Sequence, residues 1–260
     1  MLLKLSAIWF QAYEALRQHG VIESFRSLNG TVPIALDGTW YGSSQKLDCD
    51  NCSFQEHKNG DTTYYHSAVT PVIVAPNQPH AISLRPEFIL PQDGHAKQDC
   101  EINASKRWLQ NNAAYYAPLK ATLLGDDLYS RQPFCRQTLL HGFHFLFVCK
   151  PDSHTTLYDF VALLKSGGQL RTLKKRCKVN GHWQDYAYSY ANQVPLAEGD
   201  DALKVNWCEV TVSNDKGQVI YRNGFNTLFF QPRWRFQQQN ESACHHCNIF
   251  PPRTKAISIC

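Results

Sequence analysis

An α/β fold, with a mixed sheet flanked by helices, is what the sequence predicts, on three observations. Extended apolar runs occur three times within the first 90 residues. Helical and extended periodicities then alternate as far as residue 150. Two of the extended runs, TVPIALDGTW (31–40) and GFHFLFVCK (142–150), are apolar enough to lie inside a sheet.

Taken in order, MLLKLSAIWFQAYEALRQ has apolar Ile8, Phe10, Tyr13 and Leu16 interrupted by Gln11, Glu14 and Arg17. It lacks both the unbroken apolar core and the small-residue cleavage site of a signal peptide, so it reads as an amphipathic helix. Residues 31–40 read as a strand closed by Asp37 and Gly38. A polar segment with Cys49 and Cys52 follows, then two extended runs, 64–76 and 80–90, joined by Asn-Gln-Pro turn chemistry. From 96 to 112 the pattern is helical, with Cys100, Ala104, Trp108 and Leu109 inward and Lys97, Glu101 and Arg107 outward. ATLLGDD is a fourth strand, 131–141 a helix and 142–150 a fifth strand. LYDFVALLKSGG is a short helix stopped by glycines. Two long strand-like stretches come next, the second with a hairpin turn at Asn214, Asp215, Lys216 and Gly217. The expected division is an N-terminal helical segment (1–30), a sheet core (31–150), a β-rich insertion (151–227) and an unperiodic tail (228–260).

The net charge of +4 permits a polyanionic partner without demanding one. No apolar run reaches the roughly 18 residues that cross a bilayer, so no membrane partner and a cytoplasmic location are expected. Ten cysteines with no export signal point to reduced thiols or a metal site rather than disulfides. Cys100, Cys135, Cys149, Cys177 and Cys208 stand singly and read as buried structural thiols. Cys49 and Cys52 form a C-x2-C, half of a Zn2+ site, with His66 the preferred third ligand and Cys100 or the pair Cys244 and Cys247 as other donors. Otherwise they are a turn carrying two thiols. The basic run Arg171, Lys174, Lys175, Arg176 and Lys178 is either a DNA-phosphate contact or a strand edge blunted by lysines, with Lys174, Lys175 and Arg176 the residues expected on DNA. Trp40, Trp108, Trp183 and Trp207 read as core.

The acidic strand ends carry the chemistry. Asp37 and the pair Asp126 and Asp127 each close an apolar run. Taken alone, each also suits a turn. Carboxylates meeting at strand ends hold divalent cations, which activate a water or a 3′-hydroxyl and stabilise the leaving oxygen of a phosphodiester. Mg2+ prefers such oxygens.

The blocks IALDGTWYGSSQKLDCDNC, LRPEFILPQDGHAKQDCEINASKRWL, TLLGDDLYSRQPFC and FLFVCKPDSHTTLY resemble insertion-sequence transposases of the DDE type, over roughly residues 30–227. The resemblance implies a ribonuclease H-like core interrupted by a β-rich insertion before the last catalytic helix. It also implies DNA cleavage and strand transfer with Mg2+, and DNA as partner. It places the first catalytic, metal-binding Asp at Asp37 and the second, in an Asp-x-x-Tyr-Ser motif, at Asp126, with Asp127 the other registration. The third residue is a Glu four positions after an Arg. Here Arg233 matches the Arg and Gln237 stands where the Glu belongs, with Glu241 one turn further on. A neutral amide supplies no third anionic ligand. The expectation is therefore a defective remnant, shifted or deleted at its C-terminus, that binds DNA and pairs with itself or with an intact transposase. The other reading is a non-catalytic DNA- or zinc-binding protein of transposase origin.

Overall fold

The computed structural model describes residues 2–76, 78–90 and 100–228. It is a mixed α/β structure with a large mixed sheet flanked by helices, and it divides between Thr122 and Leu123 into two compact units.

In the first unit, helix α1 (Leu2–Gln18) ends at Gly20, whose φ of 70° is the left-handed geometry that closes a helix. Of the expected apolar stripe, Tyr13 is buried: its ring meets Tyr116 edge-on at 4.9 Å, and its hydroxyl donates to the Tyr115 carbonyl. Ile8 stays 59% exposed. A following turn (Val21–Phe25) inserts Ile22 and Phe25. Strand β1 (Val32–Ala35) is buried throughout. Just before it, the Thr31 hydroxyl shares a buried 2.7 Å hydrogen bond with that of Thr122.

The two extended runs expected next are each broken in two. The first gives β4 (Thr62–Val69) and β5 (Val72–Ile73), the second β6 (Ile82–Ser83) and β7 (Glu87–Ile89). Pro71 and Pro86 stand at the breaks, where a residue without an amide donor cannot continue a ladder. Two further strands, β2 (Gly38–Ser44) and β3 (Ser53–Glu56), occupy the stretch that reads as polar, and a small sheet forms in the order β2-β4-β3 with β7 also on β4. β1 pairs with β5, and β5 with β6. Helix α2 (Glu101–Tyr116) lays Ala104, Trp108, Leu109, Asn112 and Tyr116 inward and packs on β4 and β7. Two of its residues depart from expectation: Cys100, at its N-cap, is exposed, and Arg107 reaches Glu87 (3.1 Å) and the Phe88 carbonyl.

Strand β8 (Ala121–Gly125), buried over its first four residues, leads into the second unit. Helix α3 (Gln132–Leu140) starts with a proline in its first turn, and β9 (His144–Val148) is wholly buried. Helix α4 (Thr155–Ser166) stops at two glycines and packs on β11. Four antiparallel strands follow: β10 (Arg171–Val179), β11 (His182–Pro195), β12 (Lys204–Asn214) and β13 (Val219–Leu228). The expected hairpin turn joins the last two, with Asn214 Oδ1 accepting from the amides of Lys216 and Gln218. These strands continue the sheet of this unit. β13 pairs with β9, Phe225 opposite Val148, so within this unit the order is β10-β11-β12-β13-β9-β8.

At the β13–β9 junction the backbones come unusually close. The Gly224 carbonyl accepts from the Cys149 amide, and the Tyr158 hydroxyl donates to the Cys149 carbonyl at 2.7 Å. A Cβ on Gly224 would overlap the Tyr158 hydroxyl and lie 2.8 Å from the Cys149 carbonyl oxygen. Gly224→Ala is expected to lower stability by about 1–3 kcal/mol through this overpacking, read as an earlier urea midpoint.

Among the described residues no helix is long and apolar enough to cross a membrane.

Candidate metal centre and acidic strand ends

The connection between β2 and β3 is shaped by its own polar groups. Ser44 Oγ accepts from the amides of Lys46 and Leu47, turning the chain as it leaves β2. Further on, the Cys52 amide donates to the Cys49 carbonyl (2.9 Å) and the Cys49 amide donates to Cys52 Sγ (3.3 Å). This tight turn sets the two sulfurs 3.5 Å apart. His66, in β4 opposite Gly42 of β2, brings Nε2 to 3.5 Å from each sulfur. The C-x2-C and its preferred third ligand therefore meet as a Cys2His group with the spacing to hold a metal ion, the one group of three or more such ligands among the described residues. Cys100 is not part of it, and Cys244 and Cys247 lie outside the described residues.

One aromatic ring meets the triad: Tyr41 stacks on His66 at 5.5 Å. By strand parity Tyr65 points to the other face, where Trp40 stacks on it at 4.1 Å. Burial, with both thiols nearby, pushes the Tyr41 phenol above its ordinary pKa. Burial and the hydrogen bond to Cys49 push the Cys52 thiol up. A bound cation would reverse this, because coordination favours the thiolate.

Asp37 is half-buried, two residues after β1 and directly before β2. Its carbonyl accepts from the Thr70 amide (2.9 Å) and from Thr70 Oγ1 (3.4 Å). Glu101, in the first turn of α2, lies so close to Gly38 that a methyl group there would overlap its carboxylate. Only its spacing from the inward residues was visible in the sequence, and that reads as outward-facing.

Asp126 and Asp127 part company. Asp126 is exposed at the end of β8, its Oδ1 accepting from the Leu128 amide (2.8 Å). Asp127 turns inward: Oδ1 accepts from the Lys150 amide (2.6 Å) and Oδ2 from the Ser153 hydroxyl (2.5 Å). Buried His154 places Nε2 3.6 Å from Asp127 Oδ1 and hydrogen-bonds to buried Ser130. Burial lowers the His154 pKa more than the attraction of Asp127 raises it, so the ring is neutral and makes no ion pair. Serine and aspartate meet the same ring nitrogen, with Ser130 and His154 buried and Asp127 partly exposed, an arrangement that fits a structural clasp rather than a nucleophile. In the sequence Ser130 stands only as the last residue of the Asp-x-x-Tyr-Ser motif, and nothing there singles out His154.

The basic run separates by strand parity. Lys174, Arg176 and Lys178 share one exposed face of β10, and Lys175 points to the other. Arg176 lies 5.5 Å over the Trp183 ring and 3.6 Å from Asp185. Trp108 and Trp207 are core as expected, whereas Trp183 is 48% and Trp40 53% exposed, both on strands open to solvent. Cys177 is half-buried rather than buried. Arg233, Gln237 and Glu241 lie outside the described residues.

No protein-family model matches the chain, and no curated protein matches it.

Proposed function

We propose that this chain carries the catalytic scaffold of a DDE-type transposase, ribonuclease H-like in its core, with Asp37 and Asp126 as its two metal-binding carboxylates. The observation that carries this reading is the division of labour between the twin aspartates. Asp127 is absorbed by the Lys150 and Ser153 contacts, while Asp126 is exposed just past the end of a buried strand. Asp37 is half-buried, two residues after buried β1. Carboxylate oxygens fit Mg2+, which when bound supplies an activated water and a stabilised leaving oxygen. The described residues hold no group of three such carboxylates, and the position matched to the third is Gln237, so the set is incomplete. The chain thus has DNA-binding capacity, with the Lys174, Arg176 and Lys178 face as a phosphate contact, and little or no strand-transfer activity.

Mn2+ binding followed by paramagnetic resonance tests the two carboxylates. Asp37→Ala and Asp126→Ala should each weaken binding about tenfold. A loss in only one variant, or in neither, overturns the reading. Vigorous cutting of transposon-end DNA in Mg2+, abolished by Asp37→Ala, would show that the chain is not defective.

A second reading, a zinc-stabilised DNA-binding protein without catalysis, is favoured by the Cys2His triad. Zn–S bonds of about 2.3 Å and a Zn–N bond of about 2.0–2.1 Å, at tetrahedral angles, give ligand separations of about 3.5–3.8 Å. The three separations here are each 3.5 Å. Native mass spectrometry should find one Zn2+ per chain, lost in Cys52→Ser.

A further inference from the structure

We propose that the ion at Cys49, Cys52 and His66 fixes the backbone around Asp37 by pinning β2, so that these three ligands are positioning residues for that carboxylate; the inference rests on the zinc reading above. β2 has no buried residue along its length, so burial does little to hold it. What holds it is the ladder to β4, and that ladder is interrupted by a register shift between Trp40 and Gly42. On the near side of the shift, Gly38 pairs with Val69, and the Asp37 carbonyl is held by Thr70. On the far side, Gly42 pairs with His66.

β4 has independent anchors, since β7 pairs along it and α2 packs on it. β2 has β4 alone in the small sheet, and a two-stranded pairing is marginal in water. The ion adds the missing restraint. Cys52 directly precedes β3, whose Ser53 pairs with Tyr65 of β4, and His66 is the next residue of β4. One cation therefore ties the β2–β3 connection to the central strand at the point where the β2 ladder resumes. It also orients the His66 ring on which Tyr41 stacks, so the weakest stretch of β2 is gripped from both its backbone and its side chains. Without the ion, β2 frays back toward Gly38. Asp37 is then secured only on its β1 side.

Hydrogen–deuterium exchange on the full chain, zinc-loaded and then stripped by a chelator, tests this. Amides 38–44 and that of Thr70 should exchange about tenfold faster after stripping, amides 104–112 of α2 should be unchanged, and added Zn2+ should restore protection. Across variants, protection should follow zinc content: lost in Cys52→Ser, retained in His66→Cys if that three-ligand set keeps the ion. Bound zinc whose removal accelerates only residues 45–56 overturns the inference and leaves the zinc reading intact. A chain that takes up no zinc overturns both.

Discussion

Trp108→Ala is expected to be the most damaging single change in the first unit, lowering its stability by about 3–5 kcal/mol. Trp108 is fully buried, stacks on Tyr116 at 5.6 Å, and donates its indole N–H to the Arg85 carbonyl at 2.9 Å. Truncation opens a cavity that the stiff neighbouring rings cannot fill. It also strands a carbonyl in the bend between β6 and β7. Native stability is commonly only about 5–15 kcal/mol, so the variant should unfold near room temperature or at low urea. Trp108→Phe keeps most of the volume and loses the hydrogen bond, so it should recover more than half the loss. An equal loss in both variants would mean that the bond, not the packing, dominates.

Asp127→Ala comes next, and its contrast with the neighbouring residue is its value. Two charge-assisted hydrogen bonds hold the Lys150 amide and the Ser153 hydroxyl, and such bonds contribute about 1.5–3 kcal/mol each. Their loss should lower the stability of the second unit by about 3 kcal/mol, discounted because Asp127 is partly exposed. Asp126→Ala, one residue away, should cost less than about 1 kcal/mol, because its carboxylate is exposed and accepts from a turn amide. Paired thermal melts settle the comparison. Equal costs would mean that the exposed and the half-buried acid are not distinct in role.

That distinction was legible only in part. The resemblance registers Asp126 as the motif residue, but the reason Asp127 is unsuited lies at Lys150 and Ser153, beyond the reach of any local pattern. β1, β8 and β9 were legible because complete burial leaves continuous apolar runs. β2 and β3 were not, since strands exposed over nearly their whole length carry no apolar alternation, and what organises them is a ladder. Cys49 and Cys52 announced themselves by spacing. His66 did so only as one donor among several. Strand parity explains Lys175: five basic residues in one run look alike until β10 assigns alternate ones to opposite faces.

The distribution of sulfur has a chemical consequence. Burial pushes the Cys135 and Cys149 thiols far up and Cys208 to about 12, and it is the thiolate that attacks. An electrophile or mild oxidant meeting the described residues therefore finds its exposed targets at Cys49 and Cys100, with Cys52 and Cys177 half-buried. A cation held at the Cys49–Cys52 turn would act as a shield, and alkylation would report its departure before any change in shape became visible.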